Sequence, residues 1–146
     1  MTAVEFHVNQ SDKLNYTCRL LRKAYRAGAN MVVTAEQNML DALDQMLWQY
    51  ASTEFLPHCS LQSPIHTQAA TPIVLTTQLE KCRSSQVLVN LGQHVAPGFE
   101  RFERVIEVAS SQDEDLQAAR ARWKYYQERG YPLKRHEAAP VDARAA

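Results

Sequence analysis

The sequence predicts an α/β fold, a mainly parallel sheet flanked by helices, on three observations. Apolar runs with the period of strands alternate with amphipathic segments of helical period. Several of the strand segments are apolar on both sides, as in Met31-Val32-Val33, which suits interior parallel strands covered on two faces. The 146 residues, 45% of them hydrophobic, suit one domain with a sizeable core. With right-handed crossovers the arrangement is Rossmann-like. Yet neither GxGxxG nor GxxxxGK[ST] occurs, and Gly28, Gly92, Gly98 and Gly130 are scattered, so the usual phosphate-cradling loop is absent.

The elements follow in order. Val4, Phe6 and Val8 alternate with Glu5, His7 and Asn9, the period of a half-buried strand over Ala3 to Val8. Asp12 suits the cap of a helix whose Leu14, Cys18, Leu21 and Tyr25 share a face, with Lys13, Arg19, Arg22 and Arg26 towards water and Gly28 at the stop. After the Met31 strand, Thr34 and Gln37 have capping-box spacing, and Met39, Leu40, Leu43, Met46 and Leu47 carry a helix to about Trp48. Gln49 to Thr71 is polar and interrupted by Pro57 and Pro64, a long connection with a short strand near Phe55-Leu56. Ile73 to Thr76 and Val87 to Leu91 read as buried strands, Pro97-Gly98-Phe99 as a turn, and Arg104 to Val108 as the last strand. Ser111 and Glu114 again have capping-box spacing and open a helix that Gly130 and Pro132 end. Residues 1–136 thus form the domain, and Glu137 to Ala146, Ala-rich without an apolar face, are expected to be a disordered tail.

Composition excludes several function classes. Sixteen basic residues balance sixteen acidic ones, so no global basic field drives strong nucleic-acid binding, and any anion recognition is local. No apolar run approaches the roughly 18 residues needed to span a bilayer. Cys18, Cys59 and Cys82 are odd in number and lack CxxC spacing, and the N-terminus lacks signal-peptide character, which reads as a reduced, cytoplasmic protein. His58, Cys59 and His66 match no standard metal spacing, and no strained elbow or orienting carboxylate marks Cys59 as a nucleophile. Neither a metal, a cofactor nor a catalytic group is expected.

Two features stand out. On the last helix, Leu116, Ala119, Trp123 and Tyr126 follow one apolar face, while Arg120 and Lys124 emerge one turn apart on another. Two like charges at that spacing disfavour an isolated helix and are readily understood if an anion sits between them. A solvated face over core aromatics, with Lys124 paired to Glu128, accounts for the same pattern. Trp48 and Phe55 flank the end of the second helix and its polar loop, either as lids on the core or as anchors for a partner.

Leu47-Trp48, Phe55-Leu56-Pro57-His58, Arg83-Ser84-Ser85 before the Val87 strand, and Ala119-Arg120-x-Arg122-Trp123-Lys124-x-Tyr126 with Gly130-Tyr131 occur in one order and register. Together, from Phe6 to about Leu133, they resemble the chi subunit of the bacterial DNA polymerase III holoenzyme. The segment Ser60 to Thr71 and the end at Lys134 and Arg135 depart from that pattern. The resemblance implies a non-enzymatic adaptor with a Rossmann-like fold and two partners: psi, a small subunit associated with the clamp loader, and the acidic, Phe-terminated C-terminal tail of the single-stranded DNA-binding protein. It implies that Arg120 and Lys124 hold the tail and that Trp48 and Phe55 face psi. Cations and an apolar hollow suit such a tail, with Trp123, Val108 and Ala109 expected beside the helix. The resemblance leaves open whether an accessory helicase shares the Phe55 surface. The other reading open at this point is an α/β nucleotide-binding domain or enzyme with an unrecognised site.

Overall fold

The computed structural model describes residues 2–49, 57–60, 72–79 and 86–137. In chain order these residues form β1 (Ala3–Gln10), α1 (Lys13–Arg26), β2 (Met31–Thr34), α2 (Gln37–Gln49), β3 (His58–Ser60), β4 (Ile73–Thr76), β5 (Val87–Asn90), a 3-10 turn (Phe99–Arg101), β6 (Arg104–Ser110), α3 (Asp113–Glu128) and β7 (Leu133–Glu137). The seven strands make one sheet in the order β3-β4-β2-β5-β6-β1-β7. Every pairing is parallel, in keeping with the helix-length connections between strands.

The side-chain alternation of the strands divides the core in two. Val4, Phe6, Val8, Val32, Leu88, Val105 and Ala109 face the layer of α3, where Ala119 and Tyr126 are buried. Met31, Val33, Ile73, Val87, Val89, Ile106 and Val108 face α1 and α2, against Cys18, Leu21, Leu40, Leu43 and Leu47. Residues one apart in β2 therefore serve opposite layers, as a doubly covered strand requires.

Local signals set most element ends. Asp12 caps α1 by accepting from the Asn15 N–H at 3.1 Å. Gly130, at φ 80°, reverses the chain after α3, and the Tyr131 N–H closes the end on the Tyr126 carbonyl at 3.2 Å. Gly98, at φ 89°, opens the 3-10 turn where a turn was expected.

Neither expected capping box forms. Thr34 is buried inside β2, the first turn of α2 starts from the Glu36 carbonyl, and Gln37 donates to Asp41 at 2.8 Å. At α3 the cap position is Gln112, without a side-chain bond. Asp115 instead turns back to accept the Ser110 N–H at 2.6 Å. Lys13 is not in water either: its ammonium lies 3.1 Å from Asp115, with both side chains close to fully buried.

β7 was not expected from the sequence, since Leu133-Lys134-Arg135-His136-Glu137 is mostly polar. Among the described residues it is an edge strand paired with β1 alone, and four of its five residues are exposed. Glu137, expected to begin a tail, ends this strand. The expected strand near Phe55-Leu56, the Arg83-Ser84-Ser85 turn and the rest of the tail lie outside the described residues, whereas β3 begins two residues beyond, at His58.

Candidate functional site

The exposed face of α3 meets the β1–β7 edge of the sheet in an open hollow of about 440 Å³. Phe6 and Val8 form its floor, Leu116, Ala119, Arg120 and Trp123 its helix wall, and Arg135 and Glu137 its far rim. Phe6 packs edge-on against Trp123 (5.3 Å between centroids, 64°) and against Tyr126 (5.9 Å, 72°), an arrangement favoured by the ring quadrupoles. A β-bulge between His7 and Gln10 puts Asn9, at φ 61°, among the lining residues. The hollow therefore offers an apolar, aromatic-walled floor beneath a charged rim.

The sequence-derived residues divide here. Arg120 and Trp123 line the hollow, and Lys124 is exposed one turn further on. Among the described residues, Arg120 and Lys124 form no ion pair, and the expected contact from Lys124 to Glu128 is not made. Val108 and Ala109 do not belong to the hollow. Both are fully buried, Val108 in the α1–α2 layer and Ala109 under α3, because β6 is an interior strand with no free face. Phe6, Val8, Arg135 and Glu137 take that place. Phe6 and Val8 were legible only as an apolar strand face, and β7 carried no apolar signal at all.

A buried polar network anchors the helix that walls the hollow. Arg122, between Arg120 and Lys124 on α3, points inward, where its Nε donates to Glu107 at 2.9 Å. Tyr126 donates to Glu107 at 2.6 Å, and Asn90 at 3.2 Å. Burial pushes the Glu107 carboxyl above the usual carboxylate range, against the charge of Arg122 and the hydrogen bonds from Tyr126 and Asn90. The Tyr126 hydroxyl is pushed up as well, by burial and by the Glu107 charge.

At the opposite end of the sheet, beside β3, Trp48 is 60% exposed. Its ring sits edge-on to His58 (5.1 Å, 61°), and His58, itself buried, bonds Asp44 at 2.9 Å. Trp48 thus rests edge-on against His58 while more than half of its surface is exposed. It is not a core lid. Phe55 lies outside the described residues, as does His66. Six inter-strand spacings of about 4.8 Å put the two edges roughly 29 Å apart.

Fold and surfaces define the class: a Rossmann-like α/β domain with a distinct surface at each edge of one parallel sheet. Residues 1–134 match the family model described as DNA polymerase III chi subunit, HolC. The chain is 34% identical over 142 residues to the DNA polymerase III subunit chi of Pseudomonas aeruginosa, covering 93% of this chain and 96% of that protein. It is 27% identical over 118 residues to the subunit chi of Haemophilus influenzae, covering 80% and 81%. The chain belongs to the DNA polymerase III chi subunit family. It is thus an accessory subunit of that polymerase, not itself catalytic, that serves DNA replication alongside other replisome components. Among the described residues, no helix is long and apolar enough to cross a membrane.

Proposed function

We propose that this subunit is a cytoplasmic adaptor that links the clamp-loader complex, through psi, to the acidic C-terminal tail of single-stranded DNA-binding protein. The observation that carries the reading is the hollow between β1 and α3. Its apolar lining, Leu116 and Trp123 on the wall above buried Phe6 and Val8, suits a terminal aromatic ring, and Arg120, Arg135 and the nearby Lys124 supply cations for carboxylates. The Trp48 edge, roughly 29 Å away, is the psi-facing surface in this reading, and the separation lets both partners bind at once.

Sedimentation of the chain with psi and with a labelled acidic, Phe-terminated peptide tests it. A ternary complex is expected, with each partner's affinity unchanged by the other. Mutually exclusive binding, or failure of the peptide to bind at low salt, would overturn the adaptor reading.

A further inference from the structure

Three side chains at the pairing of β1 and β7 converge on a point that the proposed adaptor surfaces do not use. Glu5 and His7 alternate on β1 and share its α1-facing side, while His136 stands opposite His7 in the β7 register. Glu5 Oε1 lies 3.3 Å from His7 Nε2 and 3.4 Å from His136 Nε2, and the three atoms lie within 4.8 Å of one another. Charge-assisted N–H···O bonds run nearer 2.7–2.9 Å. A tetrahedral ion with bonds of about 2.0–2.1 Å separates its ligand atoms by about 3.3–3.4 Å, the spacing found from Glu5 Oε1 to each of the two histidines.

The surroundings support ligation. The outer carboxylate oxygen, Glu5 Oε2, is held by Arg104 Nε at 2.6 Å, leaving Oε1 turned to the histidines. His7 Nδ1 is bonded to the Tyr16 hydroxyl, so that the ring presents Nε2 inward, as outer partners of metal-bound histidines commonly arrange. The two imidazoles meet edge to face (4.8 Å, 62°) and do not stack, which lets both Nε2 atoms point to one place. A cavity bordered by Tyr16, Arg19, Lys23 and Arg104 opens beside them and gives a fourth ligand, water, room to enter.

We propose that Glu5 Oε1, His7 Nε2 and His136 Nε2 form a three-ligand site for a borderline divalent ion of the zinc type. Two imidazoles and one carboxylate suit zinc or cobalt better than magnesium or calcium, which prefer oxygen throughout. The neighbouring Arg104, Arg19 and Lys23 oppose a second positive charge and keep the affinity modest. The consequence is mechanical. β7 is an exposed edge strand, and the ion ties it to β1 through His136. Arg135 and Glu137, on either side of His136, face the other layer and rim the hollow. Metal binding on one face of β7 thereby orders the rim on the other.

The test uses the full chain without a histidine tag. Zinc chloride at about a hundredfold excess over its Kd is expected to raise Tm by about 5 °C or more. Cobalt chloride is expected to give visible absorption bands of a tetrahedral ion, and zinc to slow amide exchange in residues 133–137 above all. His136→Gln, at an exposed position that leaves the core untouched, is expected to abolish all three responses, while magnesium produces none in the unmodified chain. No Tm rise and no cobalt bands at 1 mM metal would overturn the site. The same responses surviving in His136→Gln would place the ion elsewhere, for example at the cysteines, and would overturn it equally. Binding without protection of residues 133–137 would overturn the pinning of β7.

Discussion

The two edges of the sheet present opposite kinds of surface. At the β7 edge the chain builds a concave, aromatic-floored hollow with cations on its rim, and the wall helix α3 is tied into the core by Arg122 and Glu107. At the β3 edge Trp48, the exposed large aromatic among the described residues, lies over a buried histidine. A hollow takes in the end of a flexible acidic chain, whereas a projecting ring needs a partner that supplies the pocket itself. In the proposed reading the same fold is host at one edge and guest at the other.

The largest expected effect separates the edges by stability. Arg122→Met leaves Glu107 buried without its countercharge and is expected to cost about 3–5 kcal/mol in urea unfolding. The double variant Glu107→Leu/Arg122→Met should recover most of that loss. If Arg122→Met costs under about 1 kcal/mol, the network does not anchor α3 and the contrast between a braced wall and a projecting ring fails.

Trp48→Ala reverses the pattern. Its stability cost is expected to be about 1 kcal/mol or less, since the ring is largely exposed, while psi binding loses about 2 kcal/mol or more. Calorimetric titration against psi and against the acidic peptide checks this, with peptide affinity expected to hold within about twofold. An equal loss for both ligands would show that the edges are coupled.

Within the hollow, Arg120→Ala is expected to cost peptide binding about 1.5–3 kcal/mol, the range of hydrogen bonds to charged groups. Lys124→Ala, which removes a charge outside the lining, should cost about 0.2–1 kcal/mol. Equal effects would move the peptide's carboxylates out along α3, away from Phe6.

Acid should act on the α3 edge through Asp115. Burial alone would raise this carboxyl, but the Ser110 N–H and the Lys13 ammonium outweigh it and hold it below the usual range. The folded pKa lies under the unfolded one, so the stabilisation is complete above the unfolded value, near pH 4, and is lost as pH falls through the folded value. Asp115→Asn should therefore shrink the fall in urea midpoint between pH 5 and pH 2.5. An unchanged fall would assign acid sensitivity to other carboxylates.

The smallest effect concerns Glu137. Its carboxylate pairs with Arg135 at 3.4 Å on an exposed rim, where such a pair contributes little to stability. Glu137→Gln frees Arg135 for an acidic ligand and should strengthen peptide binding by up to about 1 kcal/mol, read by the same titration. Weakened binding would show that Glu137 itself holds the peptide.

Much of the fold was legible because its signals are local. Alternation in Val4-Phe6-Val8, the Asp12 cap, the apolar faces of α1 and α2 and the Gly130 stop depend on residues within a turn or two of each other. The capping boxes at Thr34 and Ser111 failed because Thr34 is held inside β2 and the cap position of α3 is Gln112, with Asp115 accepting from the Ser110 N–H just before it. β7 was invisible because a polar edge strand is recruited by the ladder of β1 and not by its own pattern.

The candidate surfaces divide along the same line. From the sequence alone came the parallel α/β architecture, the exposed cations of α3 and the aromatic at the end of α2, since period and spacing show which side chains share a face. Only the tertiary structure decided what each face meets. It buried Arg122 on Glu107 and Lys13 on Asp115, withdrew Val108 and Ala109 into two separate layers, and closed the hollow with Phe6, Val8 and β7. Burial and ion pairing depend on neighbours that crossovers bring from distant parts of the chain. The meeting of Glu5 and His7 with His136, from opposite ends of the sequence, has that origin.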